Sequence, residues 1–159
     1  MNRLVTASAS VLGVVLAVAI GSAQHSDMKH RGALAMGFDQ SATTHKFGLT
    51  ATGGFIQVTV NRATDAVNLD AIRAHLREVA GEFASGDFGK PMLTHNETPP
   101  GAETMRRLAA KITYTFEEIE RGGRVRIATG DRVALRSVHD FLRYQIREHA
   151  TGDSVAVQK

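Results

Sequence analysis

The sequence predicts an α+β domain in which two ββα units form a four-stranded antiparallel sheet with two main helices on one face. Two pairs of segments alternate apolar and polar residues, which is the period of half-buried strands. A stripe of apolar residues at helical spacing follows each pair. A Gly-Gly turn joins the strands of each pair, at residues 53–54 and 122–123, and the sequences after these turns are similar. We therefore expect an internal duplication.

Residues 1–23 are predicted to be a secretory signal. Arg3 gives the segment a positive start, residues 4–20 carry no charge, and small residues occupy positions 21–23, where cleavage is expected. The alternative is an uncleaved membrane anchor, for which residues 4–20 are just long enough, because a spanning helix needs about 17–25 residues. Cleavage would leave a periplasmic or secreted protein without stable membrane insertion.

Composition limits the classes of protein to which the chain can belong. The chain has 159 residues and no cysteine, which excludes disulfides, thiol catalysis and cysteine metal sites. Export without disulfides fits a bacterial periplasm. The formal charge of +3 is too small to argue for a nucleic-acid partner. We expect one domain over residues 45–155, preceded by a flexible lead-in at residues 24–44.

The first ββα unit is predicted over residues 45–87. Its hairpin covers residues 46–61, Asp65 or Asn68 caps the following helix, and Gly86 ends it. The apolar stripe of this helix consists of Ile72, Leu76, Val79, Ala80 and Phe83.

A connecting segment, residues 88–111, separates the two units. It holds all three prolines and is predicted to be a loop with a short helix over residues 103–110. The second ββα unit covers residues 112–153, and Asp131 is its helix cap. The apolar stripe of its helix consists of Leu135, Val138, Phe141, Leu142 and Ile146.

The two units align through their hairpins, with one Gly-Gly turn over the other, and again through their helices. The second unit is shorter than the first between its hairpin and its helix. The helix alignment places His75 over Phe141 and His149 over Phe83, and both phenylalanines belong to apolar stripes. We expect these two histidines to be partly buried.

The chain lacks the common catalytic patterns. It has no G-x-S-x-G, no P-loop, no H-E-x-x-H and no EF-hand loop. No pair of carboxylates has a spacing that indicates acid–base catalysis. These absences favour a binding or structural protein over an enzyme, and a small hydrolase built on His95 or His139 is the least supported interpretation.

Histidine and methionine are the remaining candidate ligands, because imidazole suits copper and zinc and thioether suits Cu(I). His45 and His95 lie at the edges of predicted elements, where functional residues concentrate. We predict a metal site that joins these two, with His75 or His139 as a third ligand and Met36 or Met92 nearby. The leading hypothesis is a periplasmic module that binds a transition metal such as copper, or zinc.

The main alternative is an interaction or structural protein of the cell envelope. The predicted outer face of the sheet carries the polar residues Gln57, Thr59, Thr113, Thr115, Glu117, Arg124 and Arg126. An antiparallel sheet can leave such a face in water, or the face can bind an envelope protein or a second copy of the chain. The histidines would then be surface residues without a common focus.

Six short segments carry a resemblance: M-G-F-D-Q at residues 36–40, T-T-H at 43–45 followed by Phe47, G-D-F at 86–88, P-M-L-T-H at 91–95, P-P-G at 99–101 and H-D-F-L at 139–142. Together they resemble a group of small exported bacterial proteins, and the similarity covers most of the mature chain. The resemblance implies a folded domain and brings no activity with it. Lys46, which follows T-T-H, departs from the pattern of the group, in which a second histidine fits this position.

Overall fold

The computed structural model describes residues 36–158. The predicted signal at residues 1–23 and the lead-in as far as residue 35 lie outside the described residues. Between residues 36 and 158, no helix combines the length and the apolarity needed to cross a membrane. The predicted α+β class is confirmed, since one sheet and four α-helices make up the described part.

Two antiparallel hairpins supply four strands of the sheet. The strands are β1 (Thr43–Thr50), β2 (Gly53–Val60), β3 (Ile112–Ile119) and β4 (Gly122–Thr129). The inner strands β2 and β4 join the hairpins by antiparallel pairing, with Ile56 opposite Val125. The four strands are equal in length, so the hairpins correspond residue by residue, from Thr43 and Ile112 onward.

A fifth strand corrects the predicted four-stranded antiparallel sheet. β5 (Val157–Gln158) pairs in parallel with the outer edge of β1, so the order is β3-β4-β2-β1-β5 and the sheet is mixed. Sequence could not identify β5, because two residues are too short to show a period of two. The tail is held beside β1 by the Asp153 carboxylate, which accepts the backbone N–H of Phe47 at 2.8 Å.

The helices are α1 (Ala66–Ala84), α2 (Gly89–His95), α3 (Ala102–Arg107) and α4 (Arg132–Glu148). α2 lies where a loop was predicted, and Pro91 does not prevent it, because proline is tolerated in the first turn of a helix. Both long helices begin at an aspartate, as predicted. Asp65 accepts the N–H of Asn68, and Asp131 accepts the N–H groups of Val133 and Ala134.

Each long helix packs mainly against the hairpin of the other half: α1 against β3 and β4, and α4 against β1 and β2. The apolar stripes of both helices meet the inward side chains of the two central strands, and Ile72, Leu142 and Val125 are fully buried there. Residues before β1 join this core as well, since the Phe38 ring is buried. The crossing brings side chains of opposite halves together.

The Gly-Gly turns predicted at residues 53–54 and 122–123 are wrong in position, because the turns are residues 51–52 and 120–121 and each Gly-Gly pair begins the second strand of its hairpin. The first glycine of each pair is required by the close approach of β2 and β4. A Cβ atom on Gly53 would lie 2.0 Å from the carbonyl oxygen of Ile127, and one on Gly122 would lie 1.9 Å from that of Val58. Neither contact can be relieved by a side-chain rotation, because both partners are backbone atoms. The Gly-Gly pattern therefore marks the places where the inner strands β2 and β4, which join the two hairpins, lie close together.

Candidate functional site

A cavity of about 70 Å³ lies between the sheet and helices α1, α2 and α4. Four imidazoles line it, and each comes from a different element: His45 from β1, His75 from α1, His95 from the end of α2, and His149 from the residue after α4. The rest of the wall is mainly apolar, with Phe47 among its members. No other feature of the described residues gathers as many candidate ligands.

The structure brings together four of the six predicted site residues. His45, His75, His95 and Met36 all line the cavity. The remaining two, His139 and Met92, do not line it. Met92 is 41% exposed.

His45 presents a buried nitrogen to this region. Its Nε2 atom is buried and has no hydrogen-bond partner among residues 36–158. Burial lowers the pKa of His45 from its usual value to about 4, so the ring is neutral at physiological pH. A neutral imidazole nitrogen without a proton is the form that binds a metal ion. Leaving such an atom unsatisfied costs about 1–3 kcal/mol.

His149 lies between two other imidazoles. Its ring centroid is 5.3 Å from that of His45 and 5.2 Å from that of His95. Two imidazoles bound to the same ion with bonds of about 2.0–2.1 Å have centroids roughly 5 Å apart. The alignment of the two halves had placed His149 on the buried face of its helix, but the residue was missing from the predicted site. The crossing of the helices brings it to His45.

His95 has its tautomer set by a neighbour on α4. Its Nε2 atom lies 3.1 Å from the amide oxygen of Gln145. An amide oxygen only accepts, so Nε2 carries a proton in this contact. Hydrogen bonds of this kind fix the orientation of histidine ligands at metal sites. The ring also meets Tyr144 edge-on at 5.0 Å, and the Tyr144 hydroxyl donates to the Glu97 carboxylate.

His75 lies beside the charged group of the cavity wall, Lys90. Burial, and then the positive charge of Lys90, lower the pKa of His75 to about 4. Lys90 itself donates to the carboxylates of Glu82 and Glu78. Although its partial burial acts in the opposite direction, these two hydrogen bonds raise the pKa of Lys90, which therefore remains charged.

Met36 and Phe38 close the cavity from the side of the lead-in. The Phe38 ring packs against both His45 and His75, with centroids 5.9 Å and 5.6 Å away. The segment is tied to α1, because the backbone N–H of Asp39 donates to the Asn68 side chain at 3.0 Å. The thioether of Met36 is thereby held at the cavity.

His139 has a structural role in place of the predicted one. Its Nε2 atom lies 3.0 Å from the carbonyl oxygen of Thr50 and 3.1 Å from that of Gly53, so it donates to both. These carbonyls flank the β1–β2 turn. Arg73, the residue of α1 that aligns with His139, makes the equivalent bonds to Ile119 and Gly122 at the β3–β4 turn. In each half, a side chain of a long helix thus donates to the two carbonyl groups beside a hairpin turn. We call this arrangement a turn clamp, and His139 belongs to one of the two.

The volume of the cavity limits its occupants. Organic ligands need about 300–1,000 Å³, so a space of about 70 Å³ fits an ion or a few water molecules. Among residues 36–158, no three His, Asp or Glu side chains are already arranged as a metal-ligand set. An ion would therefore require some imidazole rings to turn. Comparison with protein-family models, with curated proteins and with solved structures gave no match.

Proposed function

We propose that this chain is an exported protein that binds a transition-metal ion, copper or zinc, in the histidine-lined cavity. The buried, unpartnered Nε2 atom of His45 carries the proposal. It belongs to a neutral imidazole, and His149 lies at the centroid spacing expected of a second ligand. His95 supplies a third nitrogen, and Met36 a sulfur atom, at the same cavity.

The export part of the proposal rests on sequence. Residues 1–23 have the layout of a cleavable signal, and the absence of cysteine leaves histidine and methionine as the soft ligands of the chain. We expect the mature protein in the periplasm or outside the cell.

We also propose that the two halves derive from one duplicated ββα unit. The equal strand lengths, the residue-by-residue correspondence of the hairpins and the equivalent turn clamps of Arg73 and His139 support this origin. Because of this duplicated origin, each cavity residue on a strand or a long helix has an equivalent position in the other half. The matched variants used below are chosen from these positions.

The first experiment compares metal uptake by the full chain with uptake by a His45→Tyr/His149→Phe variant. These substitutions introduce the residues found at the equivalent positions, Tyr114 and Phe83, so the variant is expected to fold. Both proteins carry His25→Asn and His30→Asn, because N-terminal imidazoles could also bind metal. Bound copper and zinc are measured after dialysis, and Tm is measured by circular dichroism.

The parent chain is expected to retain a single ion, and the double variant none. At a metal concentration one hundred times the Kd, binding stabilises the fold by about 2.7 kcal/mol, which raises the Tm by roughly 10 °C. A His139→Gln variant, which keeps a donor for the turn carbonyls, should bind like the parent. Equal uptake by the parent and the double variant, or no uptake and no Tm change in the parent, would rule out the cavity site.

The alternative function, docking through the polar outer face of the sheet, is less well supported. The two arginines of this face already have partners within it. Arg124 donates to the Gln57 amide at 2.6 Å and lies 4.9 Å over the Phe55 ring, and Arg126 pairs with Glu117 at 2.6 Å. An acidic partner would have to compete with these contacts. Reversing the charge with Arg124→Glu/Arg126→Glu tests self-association by light scattering.

A further inference from the structure

The cavity combines neutral ligands with a wall that is largely apolar. The side chains that could bind an ion there are imidazoles and the thioether of Met36, and no aspartate or glutamate of the described residues lines the cavity. A bound ion would therefore keep its full charge. The charge of the ion and its preference for soft ligands then decide which ion the site binds.

The charge of the ion is limited by its surroundings. The cost of moving an ion out of water rises with the square of its charge, so a divalent ion costs about four times as much to desolvate as a monovalent one. Carboxylate ligands offset that cost at many divalent sites, and none of the described residues that line the cavity is a carboxylate. Phe47, Leu76 and Phe141 form part of its wall, and their side chains offer no polar atom that compensates for the water an ion loses.

The nearest charged groups also match a monovalent ion. Lys90 lines the cavity and is paired with Glu82 and Glu78. The three charges sum to minus one, which one positive charge balances. A divalent ion would leave the cluster with an excess positive charge next to the Lys90 ammonium group.

The sulfur atom at the cavity distinguishes among metal ions. Thioether sulfur is a soft ligand that selects Cu(I), whereas zinc is bound by imidazole, thiolate and carboxylate. Met36 lines the cavity and is half-buried, and its segment is fixed by the Phe38 contacts with His45 and His75. Its sulfur is therefore available to the same ion as the imidazoles.

We propose that the cavity binds Cu(I) in preference to divalent zinc or copper, with Met36 as the sulfur ligand beside the imidazoles of His45 and His149. This inference rests on the proposed metal-binding function and specifies its ion. It assigns to the Met36 segment the role of completing the site. It also identifies the one methionine of the described chain whose loss should change metal preference.

The test measures Cu(I) and Zn(II) affinities of the full chain and of Met36→Leu. Cu(I) is added without oxygen and with a reductant, against a chromophoric Cu(I) chelator, and Zn(II) is measured against a zinc-sensitive dye. Leucine conserves the volume of methionine, so the fold is expected to tolerate the change. Met92→Leu is the matched control, because Met92 is exposed and lies outside the cavity. All proteins carry the His25→Asn, Met28→Leu and His30→Asn substitutions.

The parent chain is expected to bind Cu(I) more tightly than Zn(II). Met36→Leu should weaken Cu(I) binding by about tenfold or more, a change of the size seen when a supporting group is lost from a metal site. Its Zn(II) affinity, and both affinities of Met92→Leu, should stay within about twofold of the parent. Tighter Zn(II) binding, or unchanged Cu(I) binding in Met36→Leu, overturns the Cu(I) preference and leaves the metal-binding function standing. Absence of binding for both ions overturns both proposals.

Discussion

Equivalent positions in the two halves of the molecule hold different side chains. The histidine set is His45, His75 and His149, and the equivalent aromatic set is Tyr114, Phe141 and Phe83. In both sets a strand residue of one half meets a helix residue of the other. The centroids of His45 and His149 are 5.3 Å apart, and those of Tyr114 and Phe83 are 5.7 Å apart. The backbone arrangement is thus shared, and the chemistry differs.

In the aromatic set, this arrangement serves the packing of the core. Phe83 and Phe141 are each 1% exposed and meet edge-to-face with centroids 5.8 Å apart. Tyr114, like His45, has a buried polar atom, its hydroxyl, without a hydrogen-bond partner in the described part of the chain, but it does not line the cavity. The histidine set replaces this packing with half-buried rings around a space of about 70 Å³. The two sets therefore differ in having three half-buried imidazoles at the cavity in place of an aromatic cluster, and departures from core packing of this kind are expected at functional sites.

The largest difference between the sets is expected on truncation. Phe83→Ala should cost about 3–5 kcal/mol, because it removes a fully buried ring from the core. His149→Ala, at the equivalent position, should cost about 1 kcal/mol at pH 7, because this ring is only half-buried. Urea unfolding of the two variants without metal gives both values. Equal costs would mean that the histidine set packs as tightly as the aromatic set.

A second difference is expected on acidification. The folded-state pKa of both His45 and His75 is lowered to about 4, with burial as the main cause, so the unfolded chain binds more protons between pH 6.5 and pH 4. Stability is then fully present above pH 6.5 and is lost as the pH falls to about 4. The loss is on the order of 3 kcal/mol for each histidine, and less where local opening lets a ring reach water.

A His45→Tyr/His75→Phe variant carries the aromatic residues of the other half and separates this effect from general acid sensitivity. Its free energy of unfolding should change much less than that of the parent between pH 6.5 and pH 4. Urea midpoints across this range, in metal-free buffer, provide the measurement. Parallel pH profiles of the two proteins would show that the two histidines do not control the acid response.

Most of the fold could be predicted from the sequence, because the patterns that indicate strands and helices are local. Period-two alternation located four strands, and the apolar stripe from Ile72 to Phe83 identified the buried face of α1. The alignment of the two halves agrees with the residues at which the strands and both long helices begin. α2 was missed because a segment with Pro91 was interpreted as a loop, and β5 was missed because two residues in a polar tail show no pattern.

The site was predictable in part, for a physical reason. His45, His75, His95 and Met36 were chosen as possible ligands, and all of them line the cavity. His149 was left out of that set because the sequence does not show that each helix crosses to the other hairpin. His139 was included in that set because its hydrogen bonds to the carbonyl oxygens of Thr50 and Gly53 arise from tertiary packing, which the sequence does not show.

The smallest expected difference concerns the two helix caps, Asp65 and Asp131, which are also equivalent positions. Asp65→Ala should cost about 1 kcal/mol, since it removes the cap of α1. Asp131→Ala should lower the urea midpoint further at pH 7, because Asp131 accepts two backbone N–H groups and a hydrogen bond from Lys111 at 2.7 Å. The Lys111 bond and then the backbone bonds lower the pKa of Asp131 to about 2.

A carboxylate with a lowered pKa contributes stability that is present above its unfolded value near 3.8 and is lost as the pH falls through about 2. The difference between Asp131→Ala and the parent should therefore shrink between pH 4 and pH 2. Asp131→Asn separates charge from capping, because asparagine still caps a helix but cannot pair with Lys111. If Asp131→Asn matches the parent at pH 7, the Lys111 contact adds nothing, and the two caps are equivalent in strength as well as in position.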